Sequence, residues 1–198
     1  MSLVDELKSV LHTYLQSEDE KKQRLQVISL LRHKFQVFLQ RAEVSGNLFV
    51  FGSESLGIQE KGSDIDIVCV VGSPTLTRSD FFDRYSGLLS DAGFSIVNIV
   101  QTVRVPVLKC KHAEIDVNIV CSIIPEYLVK EKKFDPMEYP GDAMDITSYL
   151  SLQGYRDAQF LLNCIEEEEL DNFVLLLRTV RLWAKANYVF SSTFGPAS

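Results

Sequence analysis

The sequence lacks a long apolar run. Its 198 residues contain no uninterrupted apolar stretch approaching the ~20 residues that a membrane span needs. The first ten residues, MSLVDELKSV, carry a charge every few positions and do not have the pattern of a secretory signal. Hydrophobic residues make up 46% of the chain and charged residues 24%, which is typical of a globular domain. We therefore expect a soluble, intracellular protein with no membrane association.

Cysteine is also scarce, and no C-x-x-C pair is present among the four cysteines of the chain. Cys69, Cys110, Cys121 and Cys164 lie far apart, and three of them fall inside predicted strands. This spacing argues against a zinc site. We expect buried, reduced thiols.

Positive charge is in deficit, since the formal net charge is −7 at pH 7. A protein that grips nucleic acid by bulk electrostatics usually presents a basic face, so this balance excludes that mode of binding. Any contact with RNA or DNA must be local. Two basic clusters are candidates for it: Lys109, Lys111 and His112 in one, and Arg178, Arg181 and Lys185 in the other.

Three aspartates on apolar strands are the most informative feature that is present. They lie in VFGSESLGIQEKGSDIDIV, from Val50 to Val68, and in EIDVNIV, from Glu114 to Val120. Side chains alternate across a strand, so Asp64 and Asp66 share a face, and Asp116 repeats the arrangement on a strand expected to be its neighbour. Crowded carboxylates repel unless a cation sits between them. Hard oxygen ligands suit Mg²⁺ or Mn²⁺ rather than zinc.

A Gly-Ser pair precedes these aspartates. A strand from Asn47 to Phe51 that ends in Gly52 and Ser53, and then turns into a short helical segment, presents backbone N–H groups to a phosphate. Two cations about 3.5–4 Å apart are the usual apparatus of phosphoryl or nucleotidyl transfer. The alternative is that Gly-Ser is an ordinary turn and Asp-Ile-Asp a half-exposed edge strand.

Apolar periodicity predicts an α+β fold with a mixed sheet of about five strands and helices on one side. The first forty residues predict two helices separated by the charged segment SEDEKK. A further helix is predicted from Ser79 to Asp91, with Ser79 as its cap. The five predicted strands are NLFVFG, DIDIVCVV, FSIVNIV, VPVLKC and EIDVNIVC.

The last third of the chain predicts helices again. Between Pro125 and Pro140 a polar segment interrupted by prolines predicts a surface excursion. Helices follow from Asp157 to Glu167 and from Asp171 to Ala186, the second capped by Asp171, with Trp183 expected in the core. The resulting domains are an N-terminal helical segment (1–44), a catalytic domain (45–150) and helices that begin a second, incomplete domain (151–198).

Several segments together resemble the catalytic region of the eukaryotic poly(A) polymerases, within the DNA polymerase β-like nucleotidyltransferase superfamily. They are VFGSESLGIQEKGSDIDIVCV, RSDFF, VPVLK, SLQGYRD and NFVLLLRTVRLWAK, and the resemblance extends from Asn47 to about Gly195. It implies a nucleotidyltransferase palm. Uridylyltransferases and other noncanonical polymerases share the three aspartates but match the accessory segments less well.

The resemblance also implies roles for individual residues. Asp64, Asp66 and Asp116 would be catalytic and would hold two Mg²⁺ or Mn²⁺ ions. The residues that would contact the nucleotide are Phe51, Gly52, Ser53, Lys109, Arg181, Phe190 and Ser192. The last three depart from the family, which has a lysine, a tyrosine and an asparagine at those positions.

The function implied is template-independent addition of AMP from ATP to the 3′ end of RNA, with release of pyrophosphate. A nuclear location and partners from the polyadenylation machinery follow from the same resemblance. Two alternatives stay open: transfer of UMP or another nucleotide, and a nucleotide-binding module with little activity in the absence of RNA-binding domains.

Overall fold

Two amphipathic helices open the fold, as predicted. The computed structural model describes residues 2–130, 135–137 and 144–189. Helix α1 (Leu3–His12) and helix α2 (Glu18–Ala42) each begin with a capping box, in which a serine and an acidic residue three positions later exchange hydrogen bonds with each other's backbone N–H. The predicted break at SEDEKK is therefore the start of α2.

The predicted mixed sheet of five strands is confirmed. Its strands are β1 (Ser45–Phe51), β2 (Ile65–Gly72), β3 (Ser95–Val100), β4 (Val107–His112) and β5 (Ile115–Ile124). Their spatial order is β1-β2-β5-β4-β3. Strands β2 and β5 pair in parallel, and the other neighbours are antiparallel.

Five more helices lie in the described parts of the chain. They are α3 (Arg78–Ser90), α4 (Glu126–Lys130), α5 (Ile146–Ser151), α6 (Gln153–Asn163) and α7 (Leu170–Ala186). Helix α6 starts before and ends before the helix predicted from Asp157 to Glu167, and α5 was not predicted. Much of the predicted surface excursion lies outside the described residues, and α4 occupies its beginning.

Two predicted helix caps are wrong. Thr77, not Ser79, caps α3, because the Thr77 hydroxyl accepts from the Asp80 N–H while the Asp80 carboxylate accepts from Thr77. Helix α7 has no side-chain cap, and Asp171 lies inside its first turn. A 3₁₀ turn (Glu167–Glu169) leads directly into α7 and replaces the cap.

Helices pack on both faces of the sheet, so the prediction of helices on one side is wrong. On one face, Ile65, Ile67 and Cys69 pack with the aromatic side chains of α2 and α3. On the other face, Val68 and Val70 pack with residues of α4 and the α5–α6 junction. The near-continuous apolar run of β2 is typical of a strand that is buried on both faces.

Trp183 is not in the core of the described structure. Its side chain is 59% exposed, and Leu176 and Val180 on the same face of α7 are 62% and 49% exposed. Periodicity identifies the apolar face of a helix correctly, but it does not tell what covers that face. Within the described residues, no helix is both long and apolar enough to cross a membrane.

The cysteines divide into two classes. Cys69, Cys110 and Cys121 are buried and free, as predicted, whereas Cys164 is exposed, so the expectation that all four are buried is wrong for this one. Burial raises the pKa of Cys110 to about 12 and raises the pKa of Cys69 and Cys121 well above the ordinary thiol value.

We predict that iodoacetamide at pH 8 modifies one cysteine of the native protein, Cys164. The buried thiols are shielded from the reagent and have too little thiolate to react. Mass spectrometry should show one adduct in buffer and four after unfolding in guanidinium. Rapid labelling of Cys69 or Cys121 in buffer would contradict the described packing.

Candidate active site

The register of the sheet brings the predicted carboxylates to one face and one edge. Asp66 of β2 lies opposite Asn118 of β5, and Asn118 lies opposite Lys109 of β4. Side chains two positions apart share a face. Asp116 is therefore on the same face as Asn118, and Asp64, immediately before β2, is on the same face as Asp66.

Asn118 joins two of the carboxylates directly. Its side-chain amide Nδ2 donates to Asp64 Oδ2 at 2.7 Å and to Asp66 Oδ1 at 3.0 Å. Asn118 is not among the residues predicted from the sequence, although its position two residues after Asp116 puts it on the face of the aspartates. The amide lies where a cation shared by Asp64 and Asp66 would bind.

The electrostatics of the carboxylates favour such a cation. Burial raises the pKa of Asp66, the hydrogen bond from Asn118 opposes that rise, and the negative charge of Asp64 adds to it. No three or more acidic, histidine or cysteine side chains of the described residues converge closely enough to hold a metal ion as they stand. The donor set fits Mg²⁺ or Mn²⁺, because a cation that replaced the Asn118 amide would meet only hard oxygen ligands.

Gly52 lies against Asp66. Its φ is +69°, and a Cβ atom at this position would come within 2.6 Å of Asp66 Oδ2. The following residues form a hydrogen-bonded turn rather than the expected helical segment, with Leu56 N donating to Gly52 O and Ile58 N donating to Ser53 O. Residues 52–58 are called the Gly-Ser turn below.

Phe51, which leads into the Gly-Ser turn, lies opposite Asp66 in the pairing of β1 with β2. Its ring joins the cluster formed by Val68, Val70 and Leu152. A Cβ atom on Gly154 would lie 2.7 Å from the ring, so the ring covers the start of α6. Phe51 therefore lies next to Asp66 on the same face of the sheet, and its contact with a nucleotide stays a prediction.

A cavity of about 460 Å³ opens beside the carboxylates. Its acidic wall includes Asp64 and Asp116, with Asn118 next to them. Its basic side chains are Lys61, Lys109, Arg181 and Lys185. The structure therefore brings the predicted residues Lys109 and Arg181 to the aspartates, whereas Phe190 and Ser192 lie outside the described residues.

Other members of the two basic clusters do not line this cavity. Lys111 lies 3.9 Å from Asp116 Oδ1 and 3.4 Å from Glu114 Oε2, and the ring of His112 packs against Phe94. Arg178 donates to the carbonyl of Gly57 in the Gly-Ser turn. Lys111, His112 and Arg178 therefore lie near the site without lining its cavity.

Helix α7 lines part of the cavity, and its side chains bond to the segment between β1 and β2. The Lys185 ammonium pairs with Glu60, whose side chain is 10% exposed, and Arg178 reaches the same segment at Gly57. Lys61 follows Glu60 directly and is another basic residue that lines the cavity. A cavity lined by both carboxylates and cations can bind a polyphosphate together with a divalent cation.

Comparisons with known proteins agree on one family. The family described as "Poly(A) RNA polymerase, mitochondrial-like, central palm domain" matches residues 3–123. The chain is 31% identical over 156 residues to a poly(A) polymerase of Dictyostelium discoideum, which covers 78% of this chain and 19% of that protein. It is 26% identical over 208 residues to the poly(A) polymerase PAPa of Candida albicans, which covers 98% of this chain and 36% of the relative. The chain thus spans a minor part of these relatives.

Solved structures share the fold at lower identity. A cytoplasmic RNA terminal U-transferase superposes with a TM-score of 0.59 and 19% identity, covering 97% of this chain and 48% of that one. A point mutant of the Cid1 poly(U) polymerase bound to MgATP superposes with a TM-score of 0.61 and 19% identity, covering 97% of this chain and 50% of that one. These likenesses confirm the α+β fold with its five-stranded mixed sheet.

We predict that Gly52→Ala weakens Mn²⁺ binding, because the added Cβ displaces the Asp66 carboxylate. The matched control is Gly57→Ala, which has a φ of +67° and meets only Val174 Cγ2 at an ordinary 3.9 Å. In both variants an alanine must adopt a left-handed backbone conformation, which costs about 1–2 kcal/mol. Electron paramagnetic resonance of free Mn²⁺ should show weaker binding for Gly52→Ala alone. Equal Mn²⁺ affinities for the two variants would contradict the described contact.

Proposed function

The chain belongs to the poly(A) polymerase-like nucleotidyltransferases, as the match of the palm-domain family over residues 3–123 shows, and we propose that it adds AMP from ATP to RNA 3′ ends without a template. The observation that carries the proposal is the cavity that Asp64 and Asp116 line together with Lys109 and Arg181. Nucleotidyl transfer needs carboxylates that hold metal ions close to cations that bind phosphate.

Asp64, Asp66 and Asp116 are proposed to hold the divalent cations. The bound ions, Mg²⁺ or Mn²⁺, supply activation of the RNA 3′-hydroxyl and neutralisation of charge on the triphosphate. Asn118 would give up its hydrogen bonds to Asp64 and Asp66 if these carboxylates bound the ions. Its amide could then donate a hydrogen bond to an oxygen of the substrate.

The triphosphate lies on the basic side of the cavity in this proposal. Lys109 and Arg181, which line the cavity, offset its negative charge. Gly52 lies against Asp66, and in this proposal the backbone of Gly52 and Ser53 contacts the triphosphate from there. The RNA 3′-oxygen forms a bond to the α-phosphorus while the bond from that phosphorus to pyrophosphate breaks. The hydroxyl proton leaves to solvent, and the pyrophosphate leaves past the lysines.

Transfer of UMP is the second candidate. The fold neighbours include a terminal U-transferase and a poly(U) polymerase, and the curated relatives are named poly(A) polymerases. We propose ATP rather than UTP as the substrate because the accessory segments RSDFF and NFVLLLRTVRLWAK resemble those of the poly(A) polymerases. A palm at residues 45–150, a nuclear location and polyadenylation partners belong to the same proposal.

We expect Asp66→Asn to lower the rate of Mg²⁺-dependent AMP addition to an RNA primer at least about 100-fold, because a carboxylate ligand contributes several kcal/mol through the metal. Asp83→Asn is the matched control, since Asp83 is exposed on α3, away from the site. Pyrophosphate release and primer extension measure the rate. Wild-type activity in Asp66→Asn would refute the assignment.

Nucleotide choice is tested with the four ribonucleoside triphosphates offered separately to the protein and a primer. We predict the largest kcat/KM with ATP, and the largest rise in melting temperature with ATP and Mg²⁺, because a ligand that binds only the folded state stabilises it. A preference for UTP would replace the first candidate with the second. Thermal stabilisation by ATP without primer extension would indicate a binding module.

A further inference from the structure

Arg24 is a charged side chain buried at the back of the candidate site. It lies in α2, and only 3% of its side chain is exposed. It does not line the cavity that contains the carboxylates. It lines a smaller neighbouring cavity of about 270 Å³, which shares Gly62 and Ser63 with the first.

The guanidinium of Arg24 contacts both ends of the segment that separates β1 from β2. Its Nε donates to Glu54 Oε2 at 2.8 Å, within the Gly-Ser turn. Its two terminal nitrogens donate to the backbone carbonyls of Ser63 and Asp64, the latter at 2.9 Å. One side chain therefore links the turn to the aspartate that precedes β2.

This arrangement uses properties that only arginine has. A guanidinium carries five N–H donors in a rigid plane, so it can serve one carboxylate and two carbonyls at once. Lysine keeps the charge but concentrates its donors at a single nitrogen. Burying a charge is costly, and a buried ion pair is weak evidence for stability, so the position of Arg24 suggests a role beyond stability.

Asp64 needs such support because it is exposed and lies outside the regular strand. Its carboxylate is held by Asn118 and its carbonyl by Arg24. Asp66, in contrast, is fixed by strand pairing on both sides, to β1 and to β5.

We propose that Arg24 is a positioning residue for the divalent cation site. Arg24 holds Asp64 in register with Asp66 and with the Gly-Ser turn. It touches neither nucleotide nor RNA and acts through the backbone of Ser63 and Asp64. The proposal rests on the proposed function in one respect, that Asp64 is a metal ligand.

The test is Mn²⁺ binding by Arg24→Lys, measured by electron paramagnetic resonance without nucleotide or RNA. Residues that hydrogen-bond to metal ligands typically contribute about 10- to 100-fold to metal affinity, and we expect a loss in that range. In primer extension, the Mg²⁺ concentration for half-maximal rate should rise, while the rate at saturating Mg²⁺ largely recovers. A purely structural role would lower the melting temperature and leave the metal affinity of the folded fraction unchanged.

Arg32→Lys is the matched control, because Arg32 is exposed on the same helix. We expect it to bind Mn²⁺ like the wild type. If Arg24→Lys does not fold, Glu54→Gln takes its place, since it removes the charge that orients the guanidinium and leaves Arg24 present. A several-fold loss of Mn²⁺ affinity is then expected.

The proposal is overturned if folded Arg24→Lys binds Mn²⁺ with wild-type affinity. Where Glu54→Gln is used instead, wild-type affinity in that variant overturns it. Asp66→Asn in the same assay separates this failure from failure of the proposed function. If Asp66→Asn loses Mn²⁺ while Arg24→Lys retains it, only the role of Arg24 is wrong. If Asp66→Asn also retains Mn²⁺, the metal site itself is wrong.

Discussion

The parallel pairing of β2 with β5 is the constraint on which the candidate site depends. In a parallel pair both strands start at the same edge of the sheet, and here Ile65 lies opposite Val117. Asp64 and Asp66 at the start of β2 therefore meet Asp116 and Asn118 at the start of β5. An antiparallel pairing of the same two sequences would place these carboxylates at opposite edges. The apolar remainder of both strands, buried between helices on both faces, enforces the register.

This convergence of like charges has an electrostatic cost, and the neighbouring residues limit it. Asn118 supplies hydrogen bonds to Asp64 and Asp66, and Arg24 supplies a buried positive charge behind them. Lys111 lies near Asp116. Burial raises the pKa of Asp66, and the hydrogen bond from Asn118 and the positive charge of Arg24 oppose that rise. A divalent cation bound beside Asp66 would oppose it further.

The features that could be predicted from the sequence are those with a local cause. Alternation along a strand places Asp64 and Asp66 on one face, and the apolar runs locate all five strands. The features that were missed depend on contacts between distant parts of the chain. Arg24 meets Ser63 and Asp64 from about forty residues away, and Asn118 meets Asp66 only through the pairing of β2 and β5. The exposure of Trp183 is of the same kind, because a periodic pattern carries no information on what lies against the helix.

The segment between β1 and β2 connects the carboxylates of the candidate site with its basic residues. Helix α2 holds it from one side through Arg24, and helix α7 holds it from the other through Arg178 and Lys185. Arg181 lies between those two α7 residues in the sequence and reaches the cavity. A shift of α7 would therefore move Arg181 and pull on the Gly-Ser turn at once. Asp66 and Asp116 lie in strands of the sheet and would stay in place, whereas Asp64 precedes β2 and is linked to the Gly-Ser turn through Arg24. In the proposed function, the metal ligands in the strands thus depend on the sheet, and the position of the triphosphate depends on how α7 packs.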